Sequence, residues 1–414
     1  MARKKKTAAL DKGVLDEFDA LVAEINEAYA VADEFGVKHP VVITADKAPD
    51  LLRIPTGSLG ADYASGGGIP VRRVTQINGW EGSLKSALAT QIVAEAQRIC
   101  PLCYYYACRC EDRFLAHVMY VDPEGTWDKR HAVSQGVQID KVLHMRPDYA
   151  EQGIDVCDKL LRSRKITLCV MDTLACLTPS AEIEASTEKW QQGLQARLVN
   201  KALRKWVSAL NLGGLSKKAG PALLLVNQIR MSIGVMFANP EVFPGGNGQK
   251  FAASIMFKNT AIEKGKDPDD KSVQYIVARI KAEKNKTYPP GRSGNMKMWV
   301  TNRHPKHKMG EIEDAPQILE LAQRFELVEV QKDKTLIWPG VCEKKGLKAL
   351  TFTRKLHETI VTGPQMKGTP VTAWMKLRSA VLNGMMGDDT HQQIRLVNPE
   401  HVDEDPEEDE LIIT

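Results

Sequence analysis

Residues 76–96 read QINGWEGSLKSALATQIVAEA, a polar strand end followed by a glycine-containing turn and a helical repeat. Gly79 to Ser86 spell G-x-x-x-x-L-K-S, one residue removed from the G-x-x-x-x-G-K-[ST] pattern of phosphate-binding loops. In such loops successive backbone N–H groups form an anion nest at a helix N-terminus, a lysine reaches the terminal phosphates and a hydroxyl binds magnesium. Gly79, Gly82, Ser83, Leu84, Lys85 and Ser86 are the residues the pattern assigns to a nucleotide. Leu84 is discordant, because a leucine with positive φ is strained. Taken alone, the motif fits a nucleotide site and a plain strand-turn-helix equally well.

Outward from the loop, the apolar runs RVTQI, AHVMYVD, KVLHM, ITLCVMD and ALLLVNQ alternate with helical patterns from about Val71 onward. This alternation predicts an α/β fold, a mostly parallel sheet flanked by helices on both faces. Ligands of such sheets bind at the carboxyl ends of the strands. There stand Asn78-Gly79, Asp122, Asp172 and Asn227-Gln228. Glu124, just past a strand end, suits a residue that orients or deprotonates a water attacking a γ-phosphate. Asp172 is the type of carboxylate that holds a magnesium-bound water, and the amide Gln228 leads into a long glycine-containing loop of the kind that carries function.

Before this core, Leu10, Val14, Leu15, Phe18, Leu21, Val22, Ile25 and Tyr29 recur at helical spacing and predict a helix with one apolar face. After Tyr288-Pro289-Pro290 the pattern turns to mixed short elements, which predicts a small α+β C-terminal domain. The expected organisation is therefore an N-terminal helical segment (1–50), the core (51–300) with a cysteine-rich insert at 100–117, a C-terminal domain (301–400) and an acidic disordered tail (401–414).

With 43% hydrophobic and 26% charged residues, the balance is that of a soluble globular protein and excludes a largely disordered chain. MARKKKTAAL carries basic residues without an apolar core behind them, and no run reaches membrane-span length, so a cytoplasmic protein with no membrane partner is expected. The net charge of +4 is uneven: DEDPEEDE (403–410) holds seven acids, leaving the rest of the chain near +11 (4 plus 7). A basic body with an acidic tail fits a binder of nucleic acid as well as it fits a protein with a solubilising tail.

CPLCYYYACRC (100–110) places Cys100, Cys103, Cys108 and Cys110 as C-x2-C-x4-C-x-C. Eight cysteines in 414 residues would put about 0.2 in such a window by chance, so the cluster needs a reason. Tetrahedral zinc accepts four cysteines and C-x2-C is a usual half-site, although C-x-C is tighter; free or redox-active thiols are the alternative. His117 reads as a surface histidine, and Cys157, Cys169, Cys176 and Cys342 read as single core residues.

IPTGSLGADYASGGGIPVRRVTQING (54–79), LTPSAEIEAS (177–186) and NQIRMSIGVMFANPE…GGNGQKF (227–251) closely resemble the RecA-family DNA recombinases, over roughly Leu52 to Lys286 with a looser echo to about Asn383. Phage-type members, of the UvsX kind, also carry a bulky residue before the loop lysine, so the resemblance favours a working nucleotide site despite Leu84. It implies a RecA-like P-loop ATPase core using ATP and Mg2+, with Ser86 and Asp172 on the metal. It implies filaments of this chain on single-stranded DNA, pairing with homologous double-stranded DNA, and single-strand-binding protein and loading factors as further partners at the nucleoid or at phage replication sites. AEKNK (282–286) resembles the stretch whose two lysines, here Lys284 and Lys286, reach a neighbour's γ-phosphate. Glu184 to Gly193 and Ile229 to Pro244 match the two DNA-binding loops, and Arg197, Arg204, Arg230, Met231, Gly245 and Gly246 fall where the family grips the single strand. Gln228 matches the residue that senses the γ-phosphate.

EASTEKWQQG (184–193) shares little with the family's first loop beyond length, and His131, three residues after Asp128, stands where a tyrosine packs on adenine. The insert GGLSKKAG (213–220) receives no function. The expectation is an ATP-dependent recombinase. The competing readings are an accessory or mediator ATPase without strand exchange, and a nucleotide-dependent DNA-binding paralogue with little hydrolysis.

Overall fold

In the computed structural model the described residues are 12–30, 38, 40–48, 51–110, 116–185, 193–212, 220–231, 241–246, 248–339, 347–361, 367–368, 370–387 and 396. The acidic tail, Leu10 and Cys342 lie outside them, as does most of the insert at 213–220. The chain divides into two compact units, Met1–Asp50 with Asn211–Lys218, and Leu51–Leu210 with Ala219–Thr414.

In the first unit, helix α1 (Lys12–Tyr29) forms where the apolar spacing predicts it. Asn26 closes the segment that follows: its side-chain oxygen accepts the N–H groups of Val41 and Val42 at 2.8 and 3.0 Å. Phe18 and Leu21 of the apolar series remain about half exposed, at 53% and 51%.

The second unit is built on an eight-stranded sheet. After α2 (Leu59–Ser65) come β1 (Val74–Gly79), α3 (Lys85–Arg98), β2 (Val118–Val121), α4 (Lys129–Ser134), β3 (Val142–Met145), α5 (Ala150–Ser163), β4 (Leu168–Asp172), α6 (Leu194–Leu210) and β5 (Ala222–Gln228). They continue into β6 (Ala253–Lys266), β7 (Val273–Asn285) and β8 (Ser293–Trp299), then α7 (Ala315–Arg324), α8 (Ala349–Glu358) and α9 (Ala373–Met386). The strand order is β8-β7-β6-β1-β5-β4-β2-β3, parallel from β6 to β3 and antiparallel across β6, β7 and β8.

Alternation along the strands explains why helices cover both faces. Ile77, Tyr120, Val170, Leu224 and Phe257 enter one apolar cluster with Leu88, Ile92 and Val93 of α3. Met119, Val121, Cys169, Met171, Leu223 and Leu225 enter a second with Ile154 and Leu161 of α5 and Val199, Leu203 and Trp206 of α6. Successive strand residues point to opposite faces, so strands covered on both sides read as continuous apolar runs.

The C-terminal helices share the first cluster through Ile318, Phe352, Trp374, Leu377 and Val381. Buried Asp62 fixes α9 to α2 by accepting Arg378 at 2.6 Å and the Thr56 N–H and hydroxyl at 2.7 and 2.8 Å. Asp314 accepts the Leu59 N–H in the same region.

Candidate functional site

The loop between β1 and α3 has the geometry of an anion nest. Gly82 (φ 70°) and Leu84 (φ 60°, ψ 30°) are left-handed, which turns successive N–H groups to one side before α3 begins at Lys85. Leu84 therefore accepts the strain rather than avoiding it, and packs against the first apolar cluster. Gly79 is obligatory on space alone: a Cβ there would lie 2.4 Å from Ser83 Oγ and 2.6 Å from the Asn259 carbonyl. The Trp80 carbonyl accepts Ser83 Oγ at 2.6 Å and Lys85 Nζ at 2.7 Å, holding the lysine over the loop.

Two carboxylates face it. Asp172, ending β4, accepts the Tyr120 hydroxyl at 2.8 Å and is hydrogen-bonded by Ser86. Burial raises the pKa of Asp172, and the Ser86 and Tyr120 hydroxyls oppose that rise. Glu124 sits on a turn built by Asp122, whose buried carboxylate accepts the N–H groups of Gly125, Thr126 and Trp127 at 2.8, 3.2 and 3.1 Å. Burial, with Asp172 and Asp122 close by, raises the Glu124 pKa against the pull of Lys85. Lys85 is itself lowered by burial and held up by Asp172, Glu124 and Glu81. Lysine, hydroxyl and two carboxylates thus converge at the carboxyl ends of β1, β2 and β4, where an α/β sheet binds its ligand.

Gln228 ends β5 directly opposite Gly79 of β1. Next to it, fully buried Asn227 donates to the Pro244 carbonyl and to Gln249 Oε1, each at 2.9 Å. Gln249 also accepts from Gln76 at 2.7 Å and donates to the Pro244 and Gly246 carbonyls at 2.5 and 3.3 Å. Sequence reasoning missed this amide network and the supporting roles of Tyr120 and Asp122. Only Asp122 carried a signal, as a polar strand end; Gln249 reads as surface until tertiary packing buries it.

Comparison with known proteins resolves what the nest belongs to. The RecA N-terminal domain family matches residues 23–302. Protein RecA of Herpetosiphon aurantiacus is 38% identical over 274 residues, covering 66% of this chain and 69% of that protein. Protein RecA of Colwellia psychrerythraea is 36% identical over 298 residues, 72% of this chain and 77% of its own length. The chain belongs to the RecA family.

Other positions singled out on RecA-family resemblance fall as follows. Arg197 and Arg204 are exposed on α6, whose opposite face buries Val199, Leu203 and Trp206. Gly245 and Gly246, with φ of 88° and 84°, lie against that helix: added Cβ atoms would sit 3.3 Å from Val199 and 3.3 Å from Ala196. Exposed Arg230 and Met231 pair antiparallel with Val242 and Glu241, closing the base of the second loop, and Lys258 of β6 clamps Glu241 at 2.5 Å. Residues 186–192 and 232–240 of the two loops are outside the described residues. Lys284 and Lys286, at the end of β7, donate to the carbonyls of Lys250 and Phe251. Asp128 caps α4 by accepting the Arg130 and His131 N–H groups at 2.5 and 3.3 Å, leaving His131 exposed on the first turn.

The cysteine motif closes in space. Sγ atoms of Cys100, Cys103, Cys108 and Cys110 all lie within 4.8 Å of one another, and among the described residues His117 stands outside the group. The Tyr104 N–H donates to the Cys100 carbonyl and the Cys100 N–H to the Tyr105 carbonyl, both at 2.8 Å, which makes 100–105 a tight turn. Backbone N–H groups of Cys103 and Leu102 point at the Cys100 sulfur, and that of Tyr105 at the Cys103 sulfur. Cys157 and Cys169 are core residues as expected but not single ones: their sulfurs are 3.1 Å apart. No described helix is long and apolar enough to cross a membrane.

Proposed function

We propose that this chain is an ATP-dependent homologous recombinase, a DNA-dependent ATPase that assembles on single-stranded DNA and exchanges it with a homologous duplex. The observation that carries the reading is the convergence of Lys85, Ser86, Glu124 and Asp172 on one phosphate nest in a RecA-family chain. The residues present fit the nucleotide: Gly79 leaves the room that Ser83 and Asn259 need, Gly82 takes the left-handed turn of the nest, and Lys85 stands at its rim. Ser86 and Asp172 fit Mg2+, being hard oxygen donors beside it. ATP supplies the phosphoanhydride whose cleavage powers turnover.

In this reading Lys85 compensates phosphate charge and Glu124 orients and deprotonates the attacking water. Gln228, beside Gly79, senses the terminal phosphate; Asn227 and Gln249 tie its strand to the second loop. Lys284 and Lys286 act on the neighbour's nucleotide across a head-to-tail interface, an open contact that generates filaments rather than closed rings. The apolar face of α1, within the N-terminal segment 1–50, serves the same assembly. Arg197, Arg204, Arg230, Met231 and the N–H groups of Gly245 and Gly246 hold the single strand, and Asp128 and His131 serve the base. Leu84 supports a place among phage-type members. The four cysteines take a zinc ion, the metal that accepts four thiolates without redox change.

ATP turnover measured with and without single-stranded DNA, followed by a strand-exchange assay, tests the function. Stimulated turnover with strand exchange is expected. Turnover without exchange would replace the recombinase with a mediator, and no turnover would leave a nucleotide-dependent DNA binder.

A further inference from the structure

The cysteine turn is fastened to the rest of the chain on two sides. Inward, buried Tyr104 donates to the Gly220 carbonyl at 2.8 Å, and buried Tyr106 donates to Glu95 of α3. Outward, Ala107–Cys108 forms a two-residue strand paired antiparallel with Lys367–Gly368, Cys108 opposite Lys367 and Ala107 opposite Gly368. The Ala107 N–H also donates to the Leu396 carbonyl at 3.0 Å. One short strand therefore seats C-terminal residues from two separate places in the chain, Lys367–Gly368 and Leu396.

A two-residue strand has too few hydrogen bonds to hold a position by itself. Here it carries one ligand, Cys108, and runs directly into another, Cys110. Bonds of about 2.3 Å to one zinc ion set sulfur–sulfur edges of about 3.8 Å, which the four sulfurs reach from 4.8 Å or less by small side-chain rotations. The ion would thereby tie the outer strand to the Cys100–Cys103 turn and, through Tyr104 and Tyr106, to the core. Helix α9 has a hold of its own in the Arg378–Asp62 pair at 2.6 Å, so it does not depend on the metal.

We propose that the four-cysteine site is a metal clasp that fixes the C-terminal residues Lys367–Gly368 and Leu396 to the ATPase core. The proposal rests on the zinc reading given above. With the ion bound, Leu396 and Lys367–Gly368 are held on the Ala107–Cys108 strand; with the ion removed, that strand and these partners come free while α9 stays docked.

The test uses the full-length protein, zinc-loaded and zinc-stripped by chelation under reducing conditions, together with Cys103→Ser and Cys110→Ser. Metal analysis addresses the zinc reading, and amide hydrogen exchange addresses the clasp. About one zinc per chain is expected, and its removal should speed exchange in peptides containing Ala107 and Gly368 by about tenfold or more, with α9 and α3 unchanged. Bound zinc with equal exchange in both states overturns the clasp and leaves the zinc reading standing. No bound metal overturns both. Equal loosening of α9 shows that the ion holds the whole C-terminal region, which overturns a clasp confined to the partners of the Ala107–Cys108 strand. Should either variant fail to fold, the stripped wild-type protein still gives the comparison.

Discussion

Gly79 and Gln228 stand opposite one another in the register of two adjacent parallel strands, so the first residue of the phosphate loop and the last residue before the second loop are side by side. In the proposed relay, a signal from phosphate to loop would cross only one strand spacing. The Asn227 amide continues it to Pro244, at the loop's far end.

Substitutions at Leu84 separate backbone from side chain. Glycine removes the cost of the left-handed conformation, about 1 kcal/mol, at the loss of some apolar packing. Leu84→Gly should bind ATP at least as well as the parent. Leu84→Ile, β-branched at positive φ, should weaken binding by about tenfold. Equal affinities for the two variants in a nucleotide titration would mean that the loop relaxes into another geometry.

Glu124→Gln should bind ATP normally and hydrolyse it about 100-fold more slowly or worse, whereas Lys85→Ala should lose affinity itself. The proposed role needs Glu124 ionised, and burial and its acidic neighbours raise its pKa above the ordinary 4.5. Hydrolysis should therefore fall as pH drops through a value above 4.5. Asp172→Asn removes the neighbouring charge and should move that limb to lower pH in whatever activity remains. A limb that stays in place would detach it from Glu124.

Gln249→Leu keeps the volume but deprives Gln76 and Asn227 of a shared acceptor. A stability loss of about 1 kcal/mol is expected, since each donor keeps a second partner. The larger effect should fall on coupling: stimulation of ATP turnover by single-stranded DNA should drop more than basal turnover. Unchanged stimulation would remove the network from the relay.

Lys284→Ala and Lys286→Ala should lower DNA-stimulated hydrolysis while dilute protomers bind nucleotide as before. Comparable turnover by dilute protomers and filaments would contradict a role across the interface.

Deleting 403–414 should strengthen duplex binding most at low ionic strength, because seven tail carboxylates compete with DNA phosphates and salt screens both. Single-strand binding should change less. Superimposable salt titrations of full-length and truncated protein would reduce the tail to a solubiliser.

Sequence by itself determined the parallel core and its chemistry. All five apolar runs became β1 to β5: β2, β4 and β5 are buried along almost their whole length and read as continuous apolar runs, while β3, at the sheet edge, is half exposed. Their polar ends, Gly79, Asp122, Asp172 and Gln228, marked the ligand edge for the same reason: polar residues end a buried strand only where something meets them. The strands β6, β7 and β8 were not among the apolar runs, since the far half of β6 is largely exposed and in β7 buried Ala278, Ile280 and Ala282 alternate with exposed Arg279, Lys281 and Glu283. Tertiary structure alone decided the rest. Gln249 became the centre of a buried amide network only once elements distant in the chain closed over it, whereas Asp122 builds its turn locally, from N–H groups three to five residues on. Four cysteines spaced along eleven residues became one sulfur cluster because the Cys100 turn folds back on the strand at Cys108. Spacing states which ligands are available; whether their sulfurs converge is set by backbone hydrogen bonds and by the neighbours, Gly220, Glu95 and Gly368, that hold the turn in place.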